Sequence, residues 1–169
     1  MAAASPRTAL TIGNFDGVHA GHRALLSRAR GLAGPAGRVV ALVFYPHPLT
    51  VLDPSGAPAA LTTLDERDRL LRAAGADEVV HLAPTPDILG LEPDAFIADL
   101  AARFHPAAIV EGADFRFGRA RSGDMTALAA LGRKHGFEAP AVAEQTFTLA
   151  DLTEAPASST LIRWLLDHG

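Results

Sequence analysis

Three glycines, two histidines, an asparagine and an aspartate fall within residues 13–22 (GNFDGVHAGH) of this 169-residue chain. The apolar run ALTIG at residues 9–13 leads in, and a helical period leads out, so the stretch is a strand-to-helix turn. Gly13, Gly17 and Gly21 let backbone approach a ligand closely there, and the free N–H groups of the helix start attract anions. His19 and His22, three apart, share one face of the first helical turn, where their N–H groups reach phosphate oxygens. The chemistry this suits is phosphate binding without the lysine of a P-loop, whose GxxxxGK[ST] pattern is absent. A structural reading as helix-cap histidines, or a transition-metal site completed by His47, stays open on these residues alone.

Such a turn needs a sheet edge to hold it. Apolar runs of strand length alternate with segments of helical period, the pattern of βαβ units and a parallel sheet. Strands are expected at residues 9–13, 38–45, 78–82 and 107–111, and further strands at 137–143 and 146–149. Helices are expected from about residue 21 to the Gly34-Pro35 pair, over 64–75, from Glu92-Pro93 with Phe96, Ile97, Leu100 and Phe104 inward, over 125–135, and over 158–168. Residues 46–63 and 112–123, rich in glycine, proline or charge, read as irregular loops. With residues 14–21 they leave the C-terminal ends of strands, the edge at which open parallel sheets bind ligands.

Composition narrows the function. Apolar residues make up 49% of the chain, enough for one domain spanning residues 1–169 with a sizeable core. Fifteen Lys and Arg against nineteen Asp and Glu leave a net charge of −4, which argues against a nucleic-acid footprint. There is no apolar run of membrane-spanning length and no signal-peptide core, so a soluble, cytoplasmic protein is expected. Without cysteine, chemistry falls to histidine, carboxylates, hydroxyls, arginine, lysine and backbone.

Several segments together carry a family resemblance. His19-Ala20-Gly21-His22 resembles the HxGH signature of the small nucleotidylyltransferases. The stretches GNFDGVHAGH (13–22), FYPHP (44–48), LTTLDERDRLL (61–71), GADFRFG (112–118) and SSTLIR (158–163) all look like the FMN adenylyltransferase module of bacterial FAD synthetases, in the family's order. The resemblance implies a three-layer, Rossmann-like α/β fold with a central parallel sheet. It implies the reaction FMN + ATP → FAD + pyrophosphate, with Mg²⁺ held mainly through the substrate phosphates and no separate metal-ligand set assigned.

Carried over residue by residue, the resemblance makes His19, His22, Ser159, Thr160 and Arg163 the catalytic group, two histidines and a hydroxyl-and-guanidinium site closing on the triphosphate. Gly13, Asn14, Phe15, Asp16, Gly17, Gly21 and His47 would form the nucleotide cradle, with Asp16 orienting a histidine or an arginine. Pro46, Pro48, Asp114, Phe115, Arg116 and Phe117 would border the flavin. Phe115 and Phe117 alternate, so one is expected to fill the core while the other meets ligand. Two positions depart from the family: Ala157 where a larger apolar residue is usual, and Glu111 where the strand is normally apolar. The partners implied are small molecules, with no nucleic acid, no membrane and no oligomeric state specified. No riboflavin kinase domain is expected within the chain, and none of its activity. The competing readings are transfer of a nucleotide to a different phosphorylated metabolite, and a non-catalytic flavin- or nucleotide-binding module.

Overall fold

The computed structural model describes residues 7–150 and 152–168; residues 1–6, part of the stretch read for a signal peptide, lie outside it. In chain order the elements are β1 (Thr8–Gly13), α1 (Ala20–Ala33), β2 (Arg38–Phe44), α2 (Leu49–Leu52), α3 (Leu64–Ala73), β3 (Glu78–Leu82), α4 (Pro86–Leu89), α5 (Pro93–Phe104), β4 (Ala108–Ile109), β5 (Glu111–Gly112), α6 (Met125–His135), β6 (Ala141–Val142), β7 (Thr146–Thr148), β8 (Glu154–Pro156) and α7 (Ser159–His168). The central sheet is parallel, with strands in the order β3-β2-β1-β4.

Alternation along the strands assigns the two faces. Ala9, Val39, Ala41 and Val43 pack with Leu26 and Ala29 of α1 and Leu71 of α3. Leu10, Val40, Leu42 and Ile109 pack on the other side with Phe96, Ile97 and Leu100 of α5 and Leu128 of α6. Both parities of β2 are therefore buried, which is why its sequence is an unbroken apolar run. The result is three layers, helix on sheet on helix, as the sequence implies.

The strand expected at 107–111 is divided instead. Val110 N–H still donates to the Leu10 carbonyl of β1 at 2.9 Å. Beyond it the chain turns away from β1, and Glu111 and Gly112 pair with Ala141 and Val142 of β6. The ligand-binding edge of the sheet thus splits beside the end of β1. The strand expected at 137–143 shrinks to β6 and an isolated bridge from Glu138 to Ala108. The 146–149 segment becomes β7, whose antiparallel partner β8 carries no strand signal because it is three residues long and ends in proline. Residues 46–63 also hold more order than expected, with α2 and a 3-10 turn at Pro54–Gly56, and α4 adds a turn of helix before α5. No helix among the described residues is long and apolar enough to cross a membrane.

Candidate active site

The β1–α1 turn is held in a costly shape. Phe15, Gly17 and Val18 have φ of 51°, 81° and 42°, and two of these are bulky L-residues in left-handed backbone. Such conformations cost about 1–3 kcal/mol each and persist where surroundings enforce them. Here Phe15 and Val18 are each 1% exposed and belong to the α1-side core. Their burial fixes the turn so that His19 and His22 emerge together, rings stacked with centroids 3.6 Å apart. The edge of Phe15 meets the His22 ring at 5.0 Å. Gly21 suits the stacking as well, because a Cβ there would lie 3.1 Å from the His19 ring and crowd it.

Asp16 is the hub beneath this turn. Its carboxylate accepts from the N–H groups of Leu61 and Thr62 at 2.9 and 3.0 Å, from the Thr62 hydroxyl at 2.9 Å, from Arg67 at 2.7 Å and from Arg163 at 2.5 Å. Burial pushes its pKa up, but the Leu61 N–H, the Thr62 hydroxyl and the Arg67 charge outweigh that and hold it below the usual carboxylate range. Asp16 therefore orients two arginines and neither histidine. Arg67 also donates to the Asn14 carbonyl at 2.9 Å, tying α3 to the turn. Arg67 and Thr62 were given no role by the sequence, although a signal existed. Leu64, Arg67 and Leu71 lie on one stripe of an amphipathic helix, and a charge on the apolar stripe needs a buried partner.

The chain's other end closes on the same hub. Ser158 Oγ caps α7 by accepting from Leu161 N–H at 3.1 Å, while the Ser159 hydroxyl donates to the Asp16 carbonyl at 2.6 Å. Arg163 bridges Asp16 and the Ala59 carbonyl. Thr160 is exposed on the first turn of α7 and lines neither cavity described below.

Two cavities flank the end of β1. The first, about 480 Å³, is bounded by His19, Gly21, His22 and Ser158 on one side and by Glu111 and Val142 on the other. The second, about 460 Å³, is walled by Phe44, Phe96, Phe115 and Phe117, with His47 and Pro48 at its rim. Ile12, Gly13, Asp114 and Phe115 line both, so occupants of the two would meet at the tip of β1. Phe117 is 5% exposed and belongs to the core, whereas Phe115 stands partly exposed between the cavities, its ring centroid 5.5 Å from that of Phe117. Arg116 lines the second cavity, 3.8 Å from Asp124. Pro46 is exposed and lines neither, and His47 Nδ1 accepts from Leu49 N–H at 3.2 Å.

Polar atoms at this turn stand without protein partners, those of His19 and His22 beside the first cavity and that of Asn14 beside the second. Asn14 Oδ1, His19 Nδ1 and His22 Nδ1 are buried without a hydrogen-bond partner. Burial lowers the pKa of both histidines, and for His22 burial, reinforced by His19 and Arg67, brings it to about 3. Polar atoms buried at this expense and left unpaired mark where a polar ligand sits.

Sequence similarity to known proteins identifies the family. Residues 1–155 match the family model for FAD synthetase. The bifunctional riboflavin kinase/FMN adenylyltransferase of Escherichia coli strain K12 is 38% identical over 164 residues, covering 93% of this chain and 49% of that protein. The FAD synthetase of Listeria monocytogenes is 29% identical over 161 residues, covering 95% of this chain and 63% of that protein. The chain thus spans about half the length of the bifunctional relatives it matches. A crystal structure described as a macrolide-efflux protein from Streptococcus pneumoniae superposes with a TM-score of 0.78 at 23% identity, over 96% of this chain and 52% of that one, and speaks to the fold alone. By its matched sequence, this chain belongs to the FAD synthetase family.

Proposed function

We propose that the chain is an FMN adenylyltransferase: the FMN phosphate attacks the α-phosphorus of ATP, the bond to the β-phosphate oxygen breaks, and FAD and pyrophosphate leave. The observation that carries this reading is the trio of unpaired buried atoms, Asn14 Oδ1, His19 Nδ1 and His22 Nδ1, at a turn bordered by two cavities that share one wall. The attacking phosphate is already an anion, so the protein need supply no nucleophile. Its work is to hold two phosphates in line and to stabilise charge on the leaving one. His19 and His22 donate to the triphosphate, and the N–H groups at the starts of α1 and α7 face it from two sides.

Arg163 and Ser159 act on the same phosphates after exchanging their present partners, Asp16 and the Ala59 carbonyl. The aromatic walls of the second cavity suit an isoalloxazine ring, with Phe115 beside it. Mg²⁺ enters as part of the nucleotide substrate. The hub carboxylate, Asp16, remains paired with Arg67 and with the Leu61 and Thr62 donors when Arg163 leaves it, and no group of three His, Cys, Asp or Glu among the described residues forms a cage of its own. Chromatography of a mixture of FMN, ATP, Mg²⁺ and the protein tests the proposal: FAD should accumulate, and folded protein that yields none would overturn it.

A further inference from the structure

Glu111 is a carboxyl group in a place that needs explaining. It is 2% exposed, lines the first cavity, and stands where the sheet splits. The even-numbered residues of β1 face β4, as the Val110-to-Leu10 bond shows. Ile12 is the next in that series, and its N–H has lost its strand partner because the chain has turned away to β6. Glu111 Oε1 takes that N–H at 2.6 Å. One oxygen therefore repairs the ladder, which leaves Oε2 and a proton. Burial pushes the Glu111 pKa well above the usual range, and the nearby Asp114 charge adds to this, against the opposing bonds from Ile12 and Thr11. Burial beside apolar neighbours favours the protonated carboxyl, whose second oxygen then carries a hydrogen-bond donor. Thr11 stands beside it, but its buried hydroxyl closes no hydrogen bond of good geometry.

Ile12, Leu25, Ala113 and Val142 give the cavity apolar walls, and its lining also holds Asp114, Glu144 and Gln145. Apolar walls with a fixed donor suit a flat heteroaromatic ring that has acceptor nitrogens at its edge. At the other end, His19, Gly21 and Ser158 suit the phosphates of the same molecule. We propose that Glu111 determines base specificity: its carboxyl O–H donates to a ring nitrogen of the purine of the bound nucleoside triphosphate while Oε1 keeps the Ile12 N–H. This rests on ATP occupying the first cavity, as in the proposed function.

Titration of the protein with ATP and with 1-deaza-, 3-deaza- and 7-deaza-ATP tests the contact atom by atom. One analogue should bind about fivefold to tenfold more weakly than ATP, the scale of one hydrogen bond. Glu111→Met should erase that difference, and Glu111→Gln, which keeps both an acceptor for Ile12 and a donor, should preserve it. If the methionine variant fails to fold, the glutamine variant decides the matter by NMR. The chain has one asparagine and one glutamine, Asn14 and Gln145, so the introduced side-chain amide is readily identified. Its resonance should move with ATP and fail to move with the discriminated analogue. Equal binding of all three analogues, or an amide signal indifferent to them, would overturn the proposal and leave Glu111 as a repair of the sheet alone. Absence of ATP binding to the unaltered protein would instead overturn the nucleotide reading, and this inference with it.

Discussion

The two sides of the cleft are built on opposite principles. On the phosphate side, residues 13–22 are fixed by buried Phe15 and Val18 in left-handed backbone, by the Asp16 hub and by α7 docked on the turn. On the other side, α2 has no buried residue, and Val51 and Leu52 stand 45% and 65% exposed. Ala120 and Arg121, across the same cavity, are exposed and left-handed, with φ of 52° and 58°. The histidine-bearing turn is supported before any ligand arrives, with only Ser159 and Arg163 having to change partners; the other side joins core aromatics, Phe96 and Phe117, to the exposed apolar surface of α2. The contrast fits the division of labour in the proposed reaction. Stabilising a developing charge requires donors held in advance, since reorganising them would consume the benefit. Binding a large apolar ring requires mainly surface, which tolerates adjustment.

The sharpest way to break the contrast is through the hub. Asp16→Ala leaves Arg67, 4% exposed as a side chain, without its carboxylate. Removing one partner of a buried pair costs about 3–5 kcal/mol, and we expect a loss of that size by denaturant unfolding together with loss of FAD formation. A loss within experimental error would mean that the hub is dispensable and the turn is held by its core residues alone.

His22→Ala probes the chemistry above the hub. Losing one preorganised donor should lower turnover by about a hundredfold, with the fold kept. The variant also carries a pH signature. In the unfolded chain His22 binds a proton near pH 6.5, whereas in the folded protein burial delays this to about 3. Between those values the unfolded state holds the extra proton, so His22 makes stability fall as pH falls. Glu111 works in the opposite direction above the ordinary glutamate range, because its raised pKa lets the folded state keep a proton that the unfolded state releases. The wild-type curve therefore mixes the two, and the difference between wild type and His22→Ala isolates the histidine. That difference should change by about one proton's worth of slope across pH 4–6. A flat difference would mean that His22 is protonated in the folded protein.

Leu52→Ser should have the smallest effect. The residue lines the second cavity and is largely exposed, so stability should stay within about 0.5 kcal/mol. FMN affinity should fall about threefold to tenfold through lost apolar contact, and ATP affinity should hold. Equal weakening of both ligands would mean that the two cavities do not divide them as proposed.

The sequence made the first wall legible and the second only in outline. Strand-to-helix turns with clustered glycine and histidine have a local signature, and α3, β3, α5 and α6 follow from periodicity and caps; Asp124 capping α6 through Ala127 is an example. Arg163 could be placed on α7, but not its pairing with Asp16, a contact 147 residues apart. The split of the sheet at Val110 was not legible either, because strand propensity says nothing about which neighbour a strand pairs with. Glu111 was visible as an oddity, and only the missing partner of Ile12 N–H explains it. The α2 segment was masked by its prolines and glycines, and β8 by its brevity.

Labelled ATP shows which bond breaks and which phosphorus moves to the flavin. With FMN, Mg²⁺ and the protein, ATP carrying radioactive phosphorus at the α-position should transfer label to a flavin that co-elutes with FAD. ATP labelled at the γ-position should send all its label to pyrophosphate. Label from the γ-position appearing on a flavin, or α-label remaining in ATP while folded protein binds both ligands, would contradict the account.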